Sequence, residues 1–294
     1  DELIEVKDKY GDPRRTEIVY SSEEFNPEDF YANDPVVITI SHLGYIKRTP
    51  LAEFKEQGRG GVGSKGAHTR DQDFTEYIYP ATMHNTMLFF TQKGRCYWLK
   101  VYEIPEGAKN SKGRAIQNML NIEPDDNVNA FLRIKKFNDP EFLKSHYIMF
   151  CTKNGVIKKT CLEEYSRPRT NGVIAINILE GDKVIAVRLT NGHNEILLAN
   201  RNGRAVRFDE NQVRCMGRVS TGVRGMTLDG GDDEVVGMVC VNDRETETIM
   251  VVSENGYGKR SEVDDYRKTS RGVKGVKTLN ITDKTGLLVA IKVV

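Results

Sequence analysis

From Val36 onward the chain does not alternate apolar and polar residues along its whole length. It runs in blocks, each an apolar, β-rich stretch that meets a turn containing glycine and leaves through a short basic strand. The blocks are VVITISHLGYIKRT (36–49), MLFFTQKGRCYWLK (87–100), YIMFCTKNGVIKKT (147–160), EILLANRNGRAVRF (195–208) and TIMVVSENGYGKRS (248–261). Their turn glycines, Gly44, Gly94, Gly155, Gly203 and Gly256, are spaced by 50, 61, 48 and 53 residues. A period near 50 marks a repeat of supersecondary units.

Three of the turns are Asn-Gly (154–155, 202–203 and 255–256). That dipeptide accepts the positive φ values of a type I′ turn, so each unit is predicted to open with a tight antiparallel hairpin. Later runs such as DKVIAVRL (182–189), EVVGMVCV (234–241) and LLVAIKVV (287–294) supply the remaining strands of the unit. The expectation is an all-β chain of four-stranded antiparallel sheets packed radially like propeller blades, starting near residues 36, 87, 147, 195 and 248.

Residues 1–34 differ. Leu3, Ile4 and Val6 keep a helical spacing that Gly11 and Pro13 end, and the acidic stretch Ser21–Asp34 reads as a linker before a domain spanning 35–294. The formal net charge of +1 hides this division: residues 1–34 hold 4 basic and 11 acidic side chains, leaving 39 basic against 31 acidic in the body. A basic body suggests an anionic partner.

The cations keep a phase. Lys47 and Arg48, Arg95 and Lys100, Lys158 and Lys159, Arg204 and Arg207, and Lys259 and Arg260 follow the five turns. A second series, in glycine-rich loops, holds Arg59, Lys65 and Arg70; Lys112 and Arg114; Arg167 and Arg169; Arg218 and Arg224; and Arg271, Lys274 and Lys277. Radial stacking would bring equivalent positions to one rim, where cations and exposed backbone N–H groups suit phosphates. The competing reading is that Lys and Arg merely guard sheet edges, which leaves the pairing of glycine with arginine unexplained.

Other signals are weaker. Gly61-Val62-Gly63-Ser64-Lys65-Gly66 fits G-x-G-x-x-G but lacks the preceding strand and following helix a nucleotide site needs. The five histidines show no metal-ligand spacing, and the five cysteines form no Cys-x-x-Cys pair, so reduced, buried thiols are expected. DGGDDE (229–234) lacks the ligand spacing of a calcium loop, and Trp98 reads as a packing residue. No apolar run is long enough for a bilayer, so no membrane role and a soluble, intracellular chain are expected; the absence of an initial Met suggests a fragment.

The five basic β units, the Q-x-R-G-G-x-G loop and the leader phrase KYGDPRRTEI together resemble the C-terminal domain of the DNA gyrase A protein, with the end of the part preceding it. The resemblance covers essentially the whole chain. It implies a β-pinwheel, normally of six blades, so that the sixth would be missing or incomplete here. It also implies a basic rim that wraps double-stranded DNA with little sequence preference. The family's wrapping box falls on Gln57, Gly58, Arg59, Gly60, Gly61, Val62 and Gly63, with Gly58 and Val62 standing where the pattern is basic.

The same resemblance implies a cytoplasmic, nucleoid-associated protein in an A2B2 assembly with the gyrase B protein. Mg and ATP would be used elsewhere in that assembly; this fragment would hold no cofactor and cleave nothing, its catalytic tyrosine lying outside it. The degenerate box keeps a second resemblance in view, to the C-terminal DNA-bending domain of topoisomerase IV. A propeller-like protein-interaction scaffold is the remaining alternative.

Overall fold

The computed structural model describes residues 1–13, 15–16, 26–54 and 73–294. The chain forms two compact units, Asp1–Ala32 and Asn33–Val294. In the first, Glu2–Tyr10 is a helix that stops at Gly11, as the apolar spacing predicts, and Pro27–Phe30 forms a short 3-10 turn.

The second unit is five antiparallel sheets. Their hairpins pair Pro35–Ser41 with Tyr45–Pro50, Thr86–Thr91 with Arg95–Lys100, Tyr147–Thr152 with Val156–Cys161, Glu195–Asn200 with Arg204–Asp209, and Thr248–Ser253 with Gly258–Glu262. On the free side of each first strand lies a third: Thr75–Thr82, Val128–Ile134, Val184–Thr190, Val235–Val241 and Leu288–Val293 respectively. Third strands of successive sheets from the second to the fifth pack on one another, which puts them innermost and makes the sheets the blades of a propeller.

The runs MLFF, YIMF and ILLA are unbroken because central blades are buried on both faces. In the second blade, Met87 and Phe89 pack toward the first blade, whereas Leu88 and Phe90 pack toward the third. The fourth blade divides in the same way: Ile196 and Leu198 face the third, Leu197 and Ala199 the fifth. Successive side chains of a strand point to opposite faces, so a run with two apolar neighbours cannot alternate with polar residues.

One expectation fails. The unit does not supply its own fourth strand. The outer edge of each of the first four blades is a two-residue strand from the following unit: Arg114–Ala115, Val173–Ile174, Val223–Arg224 and Val276–Lys277. The fifth sheet, whose outer edge is Gly258–Glu262, has three strands among the described residues.

This donation explains the recurring loop glycine. Gly275 has φ 78°, and a Cβ there would lie 2.2 Å from the Ala205 carbonyl oxygen of the blade being joined. Gly113 is held the same way, 2.4 Å from the Ile46 carbonyl oxygen. Only glycine combines that backbone with that approach.

Candidate nucleic-acid interface

The described cations of the two periodic series fall into two main groups, one that latches blades together and one that stands free, with partnered side chains between them. Those three and four residues after each turn glycine lie on the second hairpin strand, where most reach across to the next unit. Lys47 Nζ donates to the Ala108 and Lys109 carbonyls at 3.0 and 2.6 Å, and Lys158 Nζ donates to the Ala175 carbonyl at 2.6 Å and to that of Arg218. Arg48 Nε donates to the Ile104 carbonyl at 2.8 Å, and Arg207 Nη1 to those of Val263 and Tyr266 at 2.9 and 3.0 Å. Lys159 pairs with Glu210 at 2.9 Å, and Trp98 takes the equivalent place in the second blade by donating to the Tyr165 carbonyl.

Most of these contacts fall on or near the 3-10 turn that follows the second hairpin strand of the next blade, such as Val101–Glu103 or Val263–Asp265. Carbonyls at the end of a short helical turn lack internal donors, and these side chains supply them.

Lys47, Lys158, Lys159 and Arg207 are therefore corrected from rim to interior, with 1%, 0%, 4% and 4% of their surface exposed. Their charges are spent on carbonyls and carboxylates, most of them beyond their own sheet, with Glu195 on the sheet of Arg207 itself. Burial, with the Arg218 charge second, pushes the Lys158 ammonium down to about 7, and burial also lowers Lys47. At Glu195, burial alone would raise the carboxyl, but hydrogen bonds from Arg207 and Lys268 outweigh it and hold the group below its usual range.

Arg204, Arg218 and Arg271 are half-buried and partnered. Arg204 pairs with Asp229 at 3.4 Å, Arg218 with Glu164 at 3.7 Å, and Arg271 donates to the Gln212 and Arg224 carbonyls. Lys274 is exposed and pairs with Asp229 at 3.0 Å; Lys277 is exposed with Asn280 nearby, and Arg260 is exposed and donates to Thr248.

The second group stands free. Lys112, Arg114, Arg167, Arg169, Arg224 and Lys259 are exposed and make no side-chain hydrogen bond or ion pair among the described residues. Arg214 and Arg267, missed in the sequence, join them; each lies eleven residues after its turn glycine, a phase outside both periodic series. Lys112, Arg167, Arg169, Arg214 and Arg267 occupy the stretch between a second hairpin strand and the donated outer strand, and Arg114 and Arg224 lie on donated strands themselves, so successive repeats carry them along the outer edge. Gln57, Gly58, Arg59, Gly60, Gly61, Val62, Gly63, Lys65 and Arg70 lie outside the described residues.

A sequence profile described as "DNA gyrase C-terminal domain, beta-propeller" matches residues 35–81, 85–135, 146–191, 194–242 and 247–294, one match per blade. The chain belongs to this family. It is 42% identical over its whole length to the DNA gyrase A protein of Staphylococcus aureus (strain MRSA252), and spans 33% of that relative. Among solved structures, the C-terminal domain of DNA topoisomerase IV superposes with TM-score 0.71 at 29% identity, covering 90% of this chain and 78% of that one. A DNA gyrase A C-terminal domain gives TM-score 0.71 at 24% identity, with 89% and 83% covered, and shows the shared fold.

In this gyrase C-terminal domain, no group of three or more His, Cys, Asp or Glu side chains among the described residues could hold a metal ion. No described helix is long and apolar enough to cross a membrane. Cys96 and Cys151 are buried as expected, whereas Cys215 is exposed.

Proposed function

We propose that this domain binds double-stranded DNA along its outer edge and wraps it, so that the gyrase to which it belongs introduces negative supercoils. In that assembly, of A2B2 composition and working in the cytoplasm, the gyrase B protein hydrolyses ATP with Mg; DNA cleavage belongs to another part of the gyrase A protein, and this domain supplies geometry. The observation that carries the reading is that, among the described residues, eight exposed cations without side-chain partners recur on the outer strands and the loops leading to them in successive blades. Phosphate contacts position DNA without reading bases, so little sequence preference follows.

Turning roughly 40 base pairs through about 180° costs on the order of 10 kcal/mol elastically. No single loop supplies that, and the edge must act collectively. Eight phosphate contacts correspond to a slope of about −7 in log K against log salt.

The test is a linking-number measurement. The domain is bound to relaxed circular DNA, a separate topoisomerase relaxes the remainder, and topoisomers are read after protein removal, comparing wild type with Arg59→Ala. A positive shift abolished by Arg59→Ala supports chiral wrapping through the box. Binding without a shift overturns wrapping and favours the second reading, a bending domain of the topoisomerase IV kind, which the superposition at 29% identity supports.

A further inference from the structure

The cleft between the first two blades is open where its counterparts are filled. A Cβ on Gly94 would meet the Ile176 carbonyl and the Ile178 side chain, and one on Gly203 the Leu279 carbonyl and Ile281. At Gly155 the neighbours are the Met226 carbonyl and Val235. Around the equivalent Gly44 there is nothing within 4 Å.

The cause is local. After the donated strand Arg114–Ala115 the chain winds into a 3-10 turn, Ile116–Asn118, that the other junctions lack among the described residues. Met119, the counterpart of Ile178 and Ile281, is thereby turned into the apolar cluster between the two blades. The space left is a cavity of about 370 Å³.

Its lining is unlike a packing defect. Tyr77 and Phe131, with ring centroids 5.1 Å apart and planes tilted by 54°, form an aromatic corner. Gln92, Gln117 and Asn127 bring three carboxamides that make no side-chain hydrogen bond among the described residues. Glu76, paired with His42 at 3.1 Å, adds a carboxylate, and no described Lys or Arg lines the space.

From this we infer that the cleft between the first and second blades binds a planar heteroaromatic amine of the nucleobase type. Its face stacks on Tyr77 while the tilted Phe131 ring closes one edge, the carboxamides meet its ring nitrogens and amino groups, and Glu76 accepts from an exocyclic amine. Paired donor and acceptor edges on Asn and Gln are what adenine-like edges require, and aromatic walls hold bases by stacking. With no Lys or Arg among the described residues of the lining, the recognised group is the base rather than a phosphate. The base has two sources: a free nucleoside, or a nucleotide swung out of a duplex.

2-Aminopurine fluorescence tests both. Free 2-aminopurine riboside is titrated into the protein in one arm, and a duplex carrying 2-aminopurine opposite an abasic site in the other, for wild type and Gln117→Ala/Asn127→Ala. Both substituted residues are exposed, and an unchanged Tm confirms that the variant is folded. Saturable quenching in the first arm, weakened at least about fivefold in the variant, supports the site with a free ligand. The same quenching only in the duplex arm, weakened at least about fivefold in the variant, supports it with the base supplied by DNA. No saturable change at millimolar riboside and in the duplex arm, or saturation equal in wild type and variant, overturns it. The duplex arm also reports simple DNA binding through anisotropy, which separates failure of this site from failure of the proposed edge interface.

Discussion

Lys158 shows how much one residue's chemistry depends on distant chain. Its ammonium is wholly buried between the Ala175 and Arg218 carbonyls, and burial brings its pKa from 10.5 down to about 7. Between about pH 7 and 10.5 the unfolded chain holds a proton that the folded chain has released, so stability rises with pH across that window and is flat below it. Each pKa unit of difference contributes about 1.4 kcal/mol. Lys158→Met removes the titration, so the Tm of wild type minus that of the variant should climb from pH 7 to pH 10. A difference independent of pH would show that the lysine stays charged in its cage.

At the scale of elements, the junction between blades is built from a donated strand and a latch, and each can be broken separately. Arg207→Ala leaves the Val263 and Tyr266 carbonyls without their donor and Glu195 with Lys268 alone, and should cost about 3 kcal/mol in urea or thermal unfolding. Gly275→Ala adds a collision with the Ala205 carbonyl to left-handed strain. Gly181→Ala is the control: φ is 77° there too, but nothing lies within 4 Å, so only the backbone cost of about 1 kcal/mol applies. Equal losses at Gly275 and Gly181 would mean that the donated strand is loosely held.

What the sequence showed and hid divides along the same line. The hairpins and the period were legible because Asn-Gly turns and two-faced apolar runs are local signals, which residues 148–157 illustrate. Donation was not, because Val223–Arg224 is too short to show a period and pairs with Val156–Ile157, more than sixty residues earlier. The cations were half legible. Phase revealed that Lys47 and Arg114 recur with the blades, yet only the fold shows Lys47 reaching carbonyls some sixty residues away while Arg114 stands in solvent. Identical side chains in one periodic set therefore do two jobs, and burial alone separates them.

For the whole molecule, that separation makes the DNA interface testable without ambiguity about folding. Arg114, Arg224 and Arg267 sit on the outer edge at three junctions, exposed and unpartnered among the described residues, so replacing all three with Ala should leave Tm nearly unchanged. Each lost phosphate contact removes about 0.9 from the slope of log K against log salt, and the triple variant should lower the slope by nearly 3. Arg207→Ala should do the reverse, lowering Tm while leaving the slope alone at temperatures where the domain is folded. Anisotropy titrations of a labelled duplex at several salt concentrations read both. If the edge variant kept the wild-type slope, the phosphates would be held elsewhere, and Lys112, Arg167, Arg169 and Arg214 would be the next positions to replace. If the latch variant changed the slope as well, the blades' mutual orientation would itself set how many phosphates the edge can reach.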